Sequence, residues 1–287
     1  MKIIFYIFTI FPLKPAFFMW DTLFKVLPLN ILRLMPPFRV TKTNLSIAFP
    51  GLAKHELDLL AKESYKETLK SFYETLFTWS RSSKKIIRET KRINNRFLFN
   101  SQEKESGLII FALHNRSIDF LLRWISSQRP HTSLYKKIKI KPIDKFVKKL
   151  RQEGNCKMVE TGIGGVKTIL NSLEKNQMTC MASDQVPANG LGVYSTFFGH
   201  ECYSFSLAPK LARKSNKQIL MSYLSYEKDI GHIINFKKPS NEIYENNGVD
   251  VMNEEMEREI KKSPTEYSWE YKKFRKLSQE PKSIYKS

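Results

Sequence analysis

Two side chains capable of proton chemistry follow an apolar run near the middle of the chain. The stretch F-A-L-H-N-R-S-I-D-F places His114 at the end of that run and Asp119 five positions later. A histidine titrates near neutral pH, so it can take a proton from an attacking hydroxyl, while a nearby carboxylate orients the ring and stabilises the imidazolium. The pattern therefore predicts a general base with an acidic partner.

The spacing restricts where such a pair can lie. Residues five apart do not share a face of an ideal helix, so the pair works best if His114 lies in the turn before a helix and Asp119 in its first turns. The chain has no G-x-S-x-G elbow, so the acceptor's own hydroxyl would have to attack. Taken alone the spacing is common, and a hydrogen-bonded core histidine is the alternative.

The elements that must position these residues are strands alternating with helices. Helical segments are expected around residues 143–151 and 166–175. Five apolar runs have strand length: residues 107–113, 156–160, 178–183, 218–224 and 232–236. This alternation predicts an α/β fold with a mixed, largely parallel sheet flanked by helices.

Parallel sheets bind ligands at the carboxyl ends of their strands, and two acid–base residues follow predicted strands there. His114 follows the first run, and Asp184, in D-Q-V-P, follows the third. A cap on a helix or loop is the alternative role for Asp184.

Before the sheet, residues 51–92 have helical periodicity without an interrupting Gly or Pro. Apolar side chains recur at intervals near three and four, which predicts one buried face. That face would comprise Leu59, Tyr65, Leu69, Phe72, Tyr73 and Leu76.

The first 38 residues are the most apolar part of the chain. Their longest charge-free run ends before Lys14 and has about 11 residues, whereas about 20 span a bilayer. The stretch L-K-P-A-F-F-M-W is a poor cleavage site for a signal peptide. We expect an uncleaved, interfacial or re-entrant segment on anionic lipid, with a buried helix of the soluble core as the alternative.

Composition favours a polyanionic partner. The chain has 287 residues, 41% of them hydrophobic, and its formal net charge is +20. Nucleic acid, anionic lipid and an acidic carrier protein all fit such a charge, but no nucleic-acid-binding motif is present.

Cys156, Cys180 and Cys202 have neither a zinc-binding spacing nor an even count, which predicts free thiols in a reducing compartment and no metal.

Much of the charge lies in residues 135–151, Y-K-K-I-K-I-K-P-I-D-K-F-V-K-K-L-R, which we call the basic stretch. It contains seven Lys and Arg151 against one acid, Asp144. Either a solvated helix face with its loop or a docking surface for phosphates or an acidic protein accounts for it.

Five blocks in order resemble the bacterial lipid A biosynthesis acyltransferases of the late lauroyl/myristoyl type, within the glycerolipid and lysophospholipid acyltransferase superfamily. The resemblance covers roughly residues 15–277. Its blocks are R-V-T-K-T-N-L-S-I-A-F-P at 39–50, the H-x4-D motif at 114–119, the basic stretch, D-Q-V-P with V-Y-S-T-F-F-G at 193–199, and P-T-E-Y-S-W-E-Y-K-K-F-R at 264–275.

The resemblance implies acyl transfer from an acyl carrier protein thioester to a hydroxyl of a lipid A precursor, without a cofactor. It implies that His114 is the general base and Asp119 its orienting partner. Arg151 would contact a phosphate or the oxyanion. Four residues of the D-Q and F-F-G blocks would form walls of the substrate site: Asp184, Gln185, Phe198 and Gly199.

The same resemblance implies a bacterial enzyme at the cytoplasmic face of the inner membrane. We divide the chain into a membrane-associating segment (1–38), an acyltransferase domain (39–280) and a basic tail (281–287). Relatives often have Pro and Gly where this chain has Glu201 and Leu207, so the pocket shape could differ.

Two other functions remain open at this point. One is acyl transfer to a lysophospholipid or an aminolipid, although the chain lacks the F-P-E-G-T-R-like block typical of glycerolipid relatives. The other is a non-catalytic basic protein that binds membranes.

Overall fold

The computed structural model describes residues 1–100, 106–279 and 284–285. Within these ranges the chain forms helices and strands that we number in chain order. The helices are α1 (Lys2–Phe8), α2 (Leu13–Val26), α3 (Leu29–Arg33), α4 (Pro36–Ala48), α5 (Lys54–Ser80), α6 (Ser83–Glu89), α7 (Arg96–Asn100), α8 (Ile118–Gln128), α9 (Lys141–Arg151), α10 (Ile163–Glu174), α11 (Leu207–Ser215) and α12 (Gly248–Lys262).

The strands form a large mixed sheet and a separate hairpin. Their bounds are β1 (Thr90–Asn94), β2 (Leu108–Ala112), β3 (His131–Tyr135), β4 (Lys157–Glu160), β5 (Met178–Ala182), β6 (Gly192–Phe197), β7 (His200–Phe205), β8 (Gln218–Glu227) and β9 (Gly231–Lys237). In the described residues the sheet has seven strands in the order β1-β9-β8-β2-β5-β3-β4. Strands β8, β2, β5, β3 and β4 run parallel, whereas β9 is antiparallel to β8. The predicted mixed, largely parallel sheet is confirmed.

Strand β2 lies inside the sheet, and its alternating side chains enter two different cores. Ile110 packs on the α8 side with Phe120 and Trp124. Ile109 and Phe111 belong to the core on the opposite face. All five residues of β2 are buried, which explains why its sequence is a continuous apolar run instead of an alternating one.

The five predicted strands and the two predicted helical segments are all present, but some strands were not predicted. Strand β3, with the sequence H-T-S-L-Y, has no apolar run to mark it, although it is largely buried. Hairpin strands β6 and β7 alternate exposed and buried residues, which gives a weaker pattern than that of β2.

The long helix predicted for residues 51–92 is two helices and the start of a strand. The chain becomes extended at Arg81, and Ser82 caps α6 by accepting a hydrogen bond from the Lys85 N–H. The single apolar face is also wrong in part, because Leu59 is 58% exposed and Phe72 is 61% exposed. A helix that packs against partners on several sides does not need one continuous stripe.

The N-terminal helices have one face on the core and another in solvent. Phe17 and Phe24 of α2 are buried, and α2 packs against α5. Many apolar side chains of α1 and α2 are exposed, including Ile3, Ile4, Ile7, Phe8, Phe18, Met19 and Leu23. In the described part of the chain, no single helix is long and apolar enough to cross a bilayer. Helices α1 and α2, bent by 51°, meet that criterion only as a pair.

The predicted basic tail, residues 281–287, lies mostly outside the described residues. The three cysteines are buried free thiols, as predicted.

A buried ionic cluster joins α5 to the loop between β2 and α8. The guanidinium of Arg116 donates to Glu74 at 2.8 Å, to Glu67 at 2.7 Å and to Glu266 at 3.0 Å. His232 Nε2 lies 2.8 Å from the same oxygen of Glu74. Burial raises the pKa of the Glu74 carboxyl, but Arg116 and His232 outweigh burial and lower that pKa to about 2.

This cluster predicts a pH-dependent contribution to stability. Because the pKa of Glu74 is depressed from 4.5 to about 2, its contribution is fully present above pH 4.5 and disappears as the pH falls towards 2. Glu74→Gln should therefore lower the free energy of unfolding at pH 7 by about 3 kcal/mol or more, since it leaves Arg116 without its buried partner. Urea unfolding at several pH values would measure the difference, which should shrink below pH 4.5.

Glu63→Gln is the matched control on the same helix. Glu63 is about half exposed and pairs with Lys66 on the surface, so its loss should cost less than about 1 kcal/mol. Equal effects of the two substitutions would contradict a stabilising role for the buried cluster.

Candidate active site

The register of two neighbouring strands brings His114 and Asp184 together. Strands β2 and β5 are parallel, and Ala112 pairs with Ala182 at their carboxyl ends. Two residues beyond the end of each strand the chain reaches His114 and Asp184, respectively. The Ser183 N–H donates to the Ala112 carbonyl at 3.0 Å, which extends the alignment past the last paired residues.

Asp184 holds His114 through both carboxylate oxygens. Nδ1 of His114 lies 2.7 Å from one oxygen, and the backbone N–H of His114 donates to the other at 3.2 Å. With Nδ1 bonded in this way, Nε2 is the ring nitrogen that remains to accept a proton. The arrangement has the geometry of an oriented general base.

The pKa values of this pair move in opposite directions. Burial lowers the pKa of His114, but the Asp184 carboxylate outweighs burial and raises that pKa above its usual value. For Asp184, burial acts to raise the pKa, but the interaction with His114 outweighs burial, and the pKa lies below its usual value. The pair therefore favours a carboxylate beside a histidine that readily accepts a proton.

Asp119 has a different partner from the one expected. It lies in the first turn of α8, whose N-cap Ser117 accepts a hydrogen bond from the Phe120 N–H, as the spacing predicted. Both of its oxygens are bound by Arg151, with Nε at 2.7 Å and Nη2 at 2.9 Å. The expected Asp119–His114 pairing is thus replaced by Asp184–His114 and Asp119–Arg151. Strand register places Asp184 within 2.7 Å of the ring, while the end of α9 brings Arg151 to Asp119.

Arg151 is the last residue of α9, so the basic stretch ends inside the site. Burial lowers the pKa of Arg151, and Asp119 outweighs burial and raises it. The guanidinium also lies 5.5 Å from the ring centroid of Tyr135. The hydrogen bonds to Asp119 use two of the five N–H groups of the Arg151 guanidinium. The remaining N–H groups can donate to an anionic ligand.

A cavity of about 420 Å³ opens beside His114, between the sheet and α8. Gln185 and Arg151 contribute polar groups to its wall, and the Gln185 side-chain nitrogen lies 3.4 Å from His114 Nε2. Most of the remaining wall is apolar, with Ile110, Ala112, Ile118, Leu121, Leu122, Ile125, Leu134, Met181 and Phe205 among the residues that line it. His114 therefore borders a cavity suited to a long apolar group.

A larger cavity of about 660 Å³ lies at the opposite end of the sheet. It is bordered by Thr132, Lys157 and Met178 at the amino ends of β3, β4 and β5. This position separates it from His114, so we place the candidate active site at the carboxyl ends.

Phe198 and Gly199 do not line the cavity beside His114. They form the turn between β6 and β7, with φ angles of 50° and 75°. Two consecutive positive φ angles are typical of tight hairpin turns, where glycine is favoured. Phe198 is buried against Phe49 and Trp269, at centroid distances of 5.5 and 5.7 Å. Substrate contact by these two residues stays a prediction.

The segment after β2 is held by a part of the last sequence block that we had not assigned to the site. The Arg116 N–H donates to the Glu266 carbonyl at 2.9 Å, and the Ser268 N–H donates to the His114 carbonyl at 3.0 Å. Asn44 of the first block in turn donates to the carbonyls of Trp269 and Tyr271, at 2.6 and 2.7 Å. The sequence signal for these contacts was that Asn44 lies in the first of the five blocks and that Glu266 and Ser268 lie in the last.

Two further residues of the last block, Tyr267 and Glu270, affect the His114–Asp184 pair. The Tyr267 hydroxyl donates a hydrogen bond to Asp184, while burial and that bond raise its pKa well above the ordinary value. Burial raises the pKa of Glu270, which accepts a hydrogen bond from Thr68 at 3.0 Å. When ionised, Glu270 adds to the effect of Asp184 on the pKa of His114.

No cluster of three or more His, Cys, Asp or Glu side chains that could hold a metal occurs within residues 1–100, 106–279 and 284–285.

Removing the charge of Asp184 should lower the pKa of His114. In Asp184→Asn the carboxylate that outweighs burial is lost, so burial dominates and the ring titrates at lower pH than in the wild type. NMR titration of the His114 ring resonances measures this directly. Asp229→Asn, in the exposed β8–β9 loop, should leave the titration unchanged. An unchanged His114 pKa in Asp184→Asn would contradict the pairing.

Comparison with known proteins identifies the family. A sequence model of the family described as "Bacterial lipid A biosynthesis acyltransferase" matches residues 17–276. The chain is 21% identical over 252 residues to the lipid A biosynthesis palmitoleoyltransferase of Escherichia coli (strain K12), covering 86% of this chain and 81% of that protein. It is similar to the same degree, over the same shares, to the lipid A biosynthesis acyltransferase of Shigella flexneri. Since the family match extends over most of the sequence, the chain belongs to the bacterial lipid A biosynthesis acyltransferases and is an acyltransferase.

Proposed function

We propose that this enzyme transfers a fatty acyl chain from acyl carrier protein to a hydroxyl of a lipid A precursor, with His114 as general base. The observation that carries the proposal is the His114–Asp184 pair at the wall of an apolar cavity. A base that faces an apolar cavity suits a reaction that joins a hydroxyl to a long acyl chain.

In the proposed reaction the acceptor hydroxyl attacks the carbonyl carbon of the thioester. Nε2 of His114 takes the hydroxyl proton as the C–O bond forms and the carbonyl oxygen becomes an oxyanion. The oxyanion collapses, the C–S bond breaks, and the imidazolium returns its proton to the departing thiolate. The products are an ester and the free thiol of the carrier, so no cofactor is consumed.

We assign the orienting role to Asp184 and a different role to Asp119. Asp184 fixes the Nδ1–H tautomer and stabilises the imidazolium, as the carboxylate does in other histidine-dependent acyl-transfer sites. Asp119 holds Arg151 by two hydrogen bonds, so that the remaining N–H groups of Arg151 can bind the oxyanion or a phosphate of the acceptor.

The acyl chain is proposed to lie in the cavity between the sheet and α8. Its far wall includes Leu121 and Ile125 of α8, and its near wall includes His114. Burying an apolar chain there contributes roughly 0.8 kcal/mol for each methylene removed from water. The thioester would then lie at the mouth, near Lys136 and Arg275, which suit the acidic surface of a carrier protein.

We further propose that the enzyme works at the cytoplasmic face of the inner membrane. The exposed apolar side chains of α1 and α2 support an interfacial segment whose aromatic residues lie at headgroup depth. The acceptor is itself a membrane lipid, so this placement would bring the acceptor hydroxyl to the cavity.

The base assignment predicts that His114→Ala abolishes transfer. We expect the rate to fall on the order of 10²- to 10⁴-fold, because no other group takes the hydroxyl proton. The assay follows a radiolabelled acyl chain from acyl carrier protein to a tetra-acylated, Kdo-bearing lipid A precursor. His55→Ala, at the exposed start of α5, is the control and should keep full activity.

Two results of that assay would contradict the proposal. Transfer that survives in His114→Ala would exclude His114 as the base. Transfer by the wild type to lysophospholipid or aminolipid acceptors, with none to the lipid A precursor across several chain lengths, would exclude the proposed acceptor.

The role proposed for Asp119, which holds Arg151, predicts that Asp119 acts through Arg151. Arg151→Ala should lower kcat by about 10²-fold, the usual effect of removing a donor to an oxyanion. Asp119→Asn should have a smaller effect, and the double variant should be no slower than Arg151→Ala alone. Multiplicative losses in the double variant would show that the two residues act independently.

A further inference from the structure

We propose that α9 and α1 form one membrane-docking surface, in which the lysines of α9 bind anionic lipid headgroups beside the apolar side chains of α1. This inference rests on the proposed membrane association of the enzyme. It assigns part of the basic stretch to the lipid surface, a choice that the sequence left open between phosphates and an acidic protein.

Contacts between aromatic rings connect the two helices. Phe5 of α1 is buried, and its ring centroid lies 5.7 Å from that of Phe146 in α9. On its other side Phe5 contacts Trp79 of α5 at 5.3 Å. The most apolar helix of the chain and its most basic helix are therefore neighbours, although about 140 residues separate them in the sequence.

The outer face of α9 carries positive charge without compensation. Lys145 and Lys149, which flank Phe146 on the helix, are exposed. In the part of the chain that the structure describes, neither forms an ion pair. The one acid of the helix, Asp144, is occupied by hydrogen bonds that it accepts from the Tyr135 hydroxyl and from the Ile138 N–H, the latter at 2.7 Å.

Apolar side chains lie beside this charge on the surface. Ile4 and Ile7 of α1 are 51% and 65% exposed, and Ile140, between Lys139 and Lys141, is 58% exposed. Apolar groups next to lysines are the usual composition of a surface that lies in a membrane interface, where lysine stems extend to the headgroups. An anionic lipid surface accepts both groups at once, the lysines at its headgroups and the apolar side chains below them.

Docking in this manner would also hold the candidate active site near the membrane surface. Helix α9 ends at Arg151, which lines the cavity beside His114. Lysines that contact headgroups along α9 would hold the cavity close to the lipid surface from which the acceptor comes.

The test measures binding of the full-length protein to sedimented vesicles of phosphatidylcholine, with and without phosphatidylglycerol. We expect Lys145→Gln/Lys149→Gln to bind the anionic vesicles about 25-fold more weakly, since each lysine near an anionic surface contributes about fivefold. On pure phosphatidylcholine the variant should match the wild type, because the apolar side chains are unchanged. The control Lys210→Gln/Lys214→Gln has the same charge change on α11, which packs against the other face of the sheet, and should bind like the wild type.

A second arm titrates each protein with an acyl carrier protein bearing a non-hydrolysable acyl group, without vesicles. The proposal requires weaker binding to anionic vesicles together with unchanged affinity for the carrier. Any other combination overturns it, and a loss of carrier affinity alone would assign α9 to the carrier. Neither arm depends on turnover, so both can be done in a His114→Ala background, where failure of the proposed reaction would leave the results unaffected.

Discussion

The position of the site depends on the buried guanidinium of Arg116. It binds carboxylates from α5 and from the segment before Tyr267, while its own backbone has a φ of 58°, a conformation that costs free energy for a residue with a side chain. Three carboxylates offset both this strain and the desolvation of the charge. Because Arg116 lies between His114 and Asp119, this cluster fixes the turn that connects β2 to α8.

Around that fixed turn, the structure forms two pairs, His114 with Asp184 and Asp119 with Arg151, where the sequence motif suggested one. Parallel register brings Asp184 to His114, and the end of α9 brings Arg151 to Asp119. Asp119, five residues from the histidine, instead binds the guanidinium of Arg151, which lines the cavity. The spacing of the motif remains meaningful, since Asp119 must lie in the first turn of α8 for Arg151 to reach both of its oxygens.

The site also connects to the surface through α9. One end of this helix contributes Arg151 to the cavity, and the middle of it packs on Phe5 of the apolar N-terminus. Tertiary packing thus places α9 and its lysines against Phe5 of the apolar N-terminus, a neighbourhood that the formal charge of +20 alone does not predict.

The sequence by itself determined the fold class, the strands that precede His114 and Asp184, and the family, because buried parallel strands require continuous apolar runs and the five blocks occur in order. It did not reveal β3 or the break at Arg81, which local periodicity does not encode. The partner of His114 was decided only by tertiary structure. Sequence spacing measures distance along one chain segment, whereas strand register sets two residues side by side although 70 positions separate them.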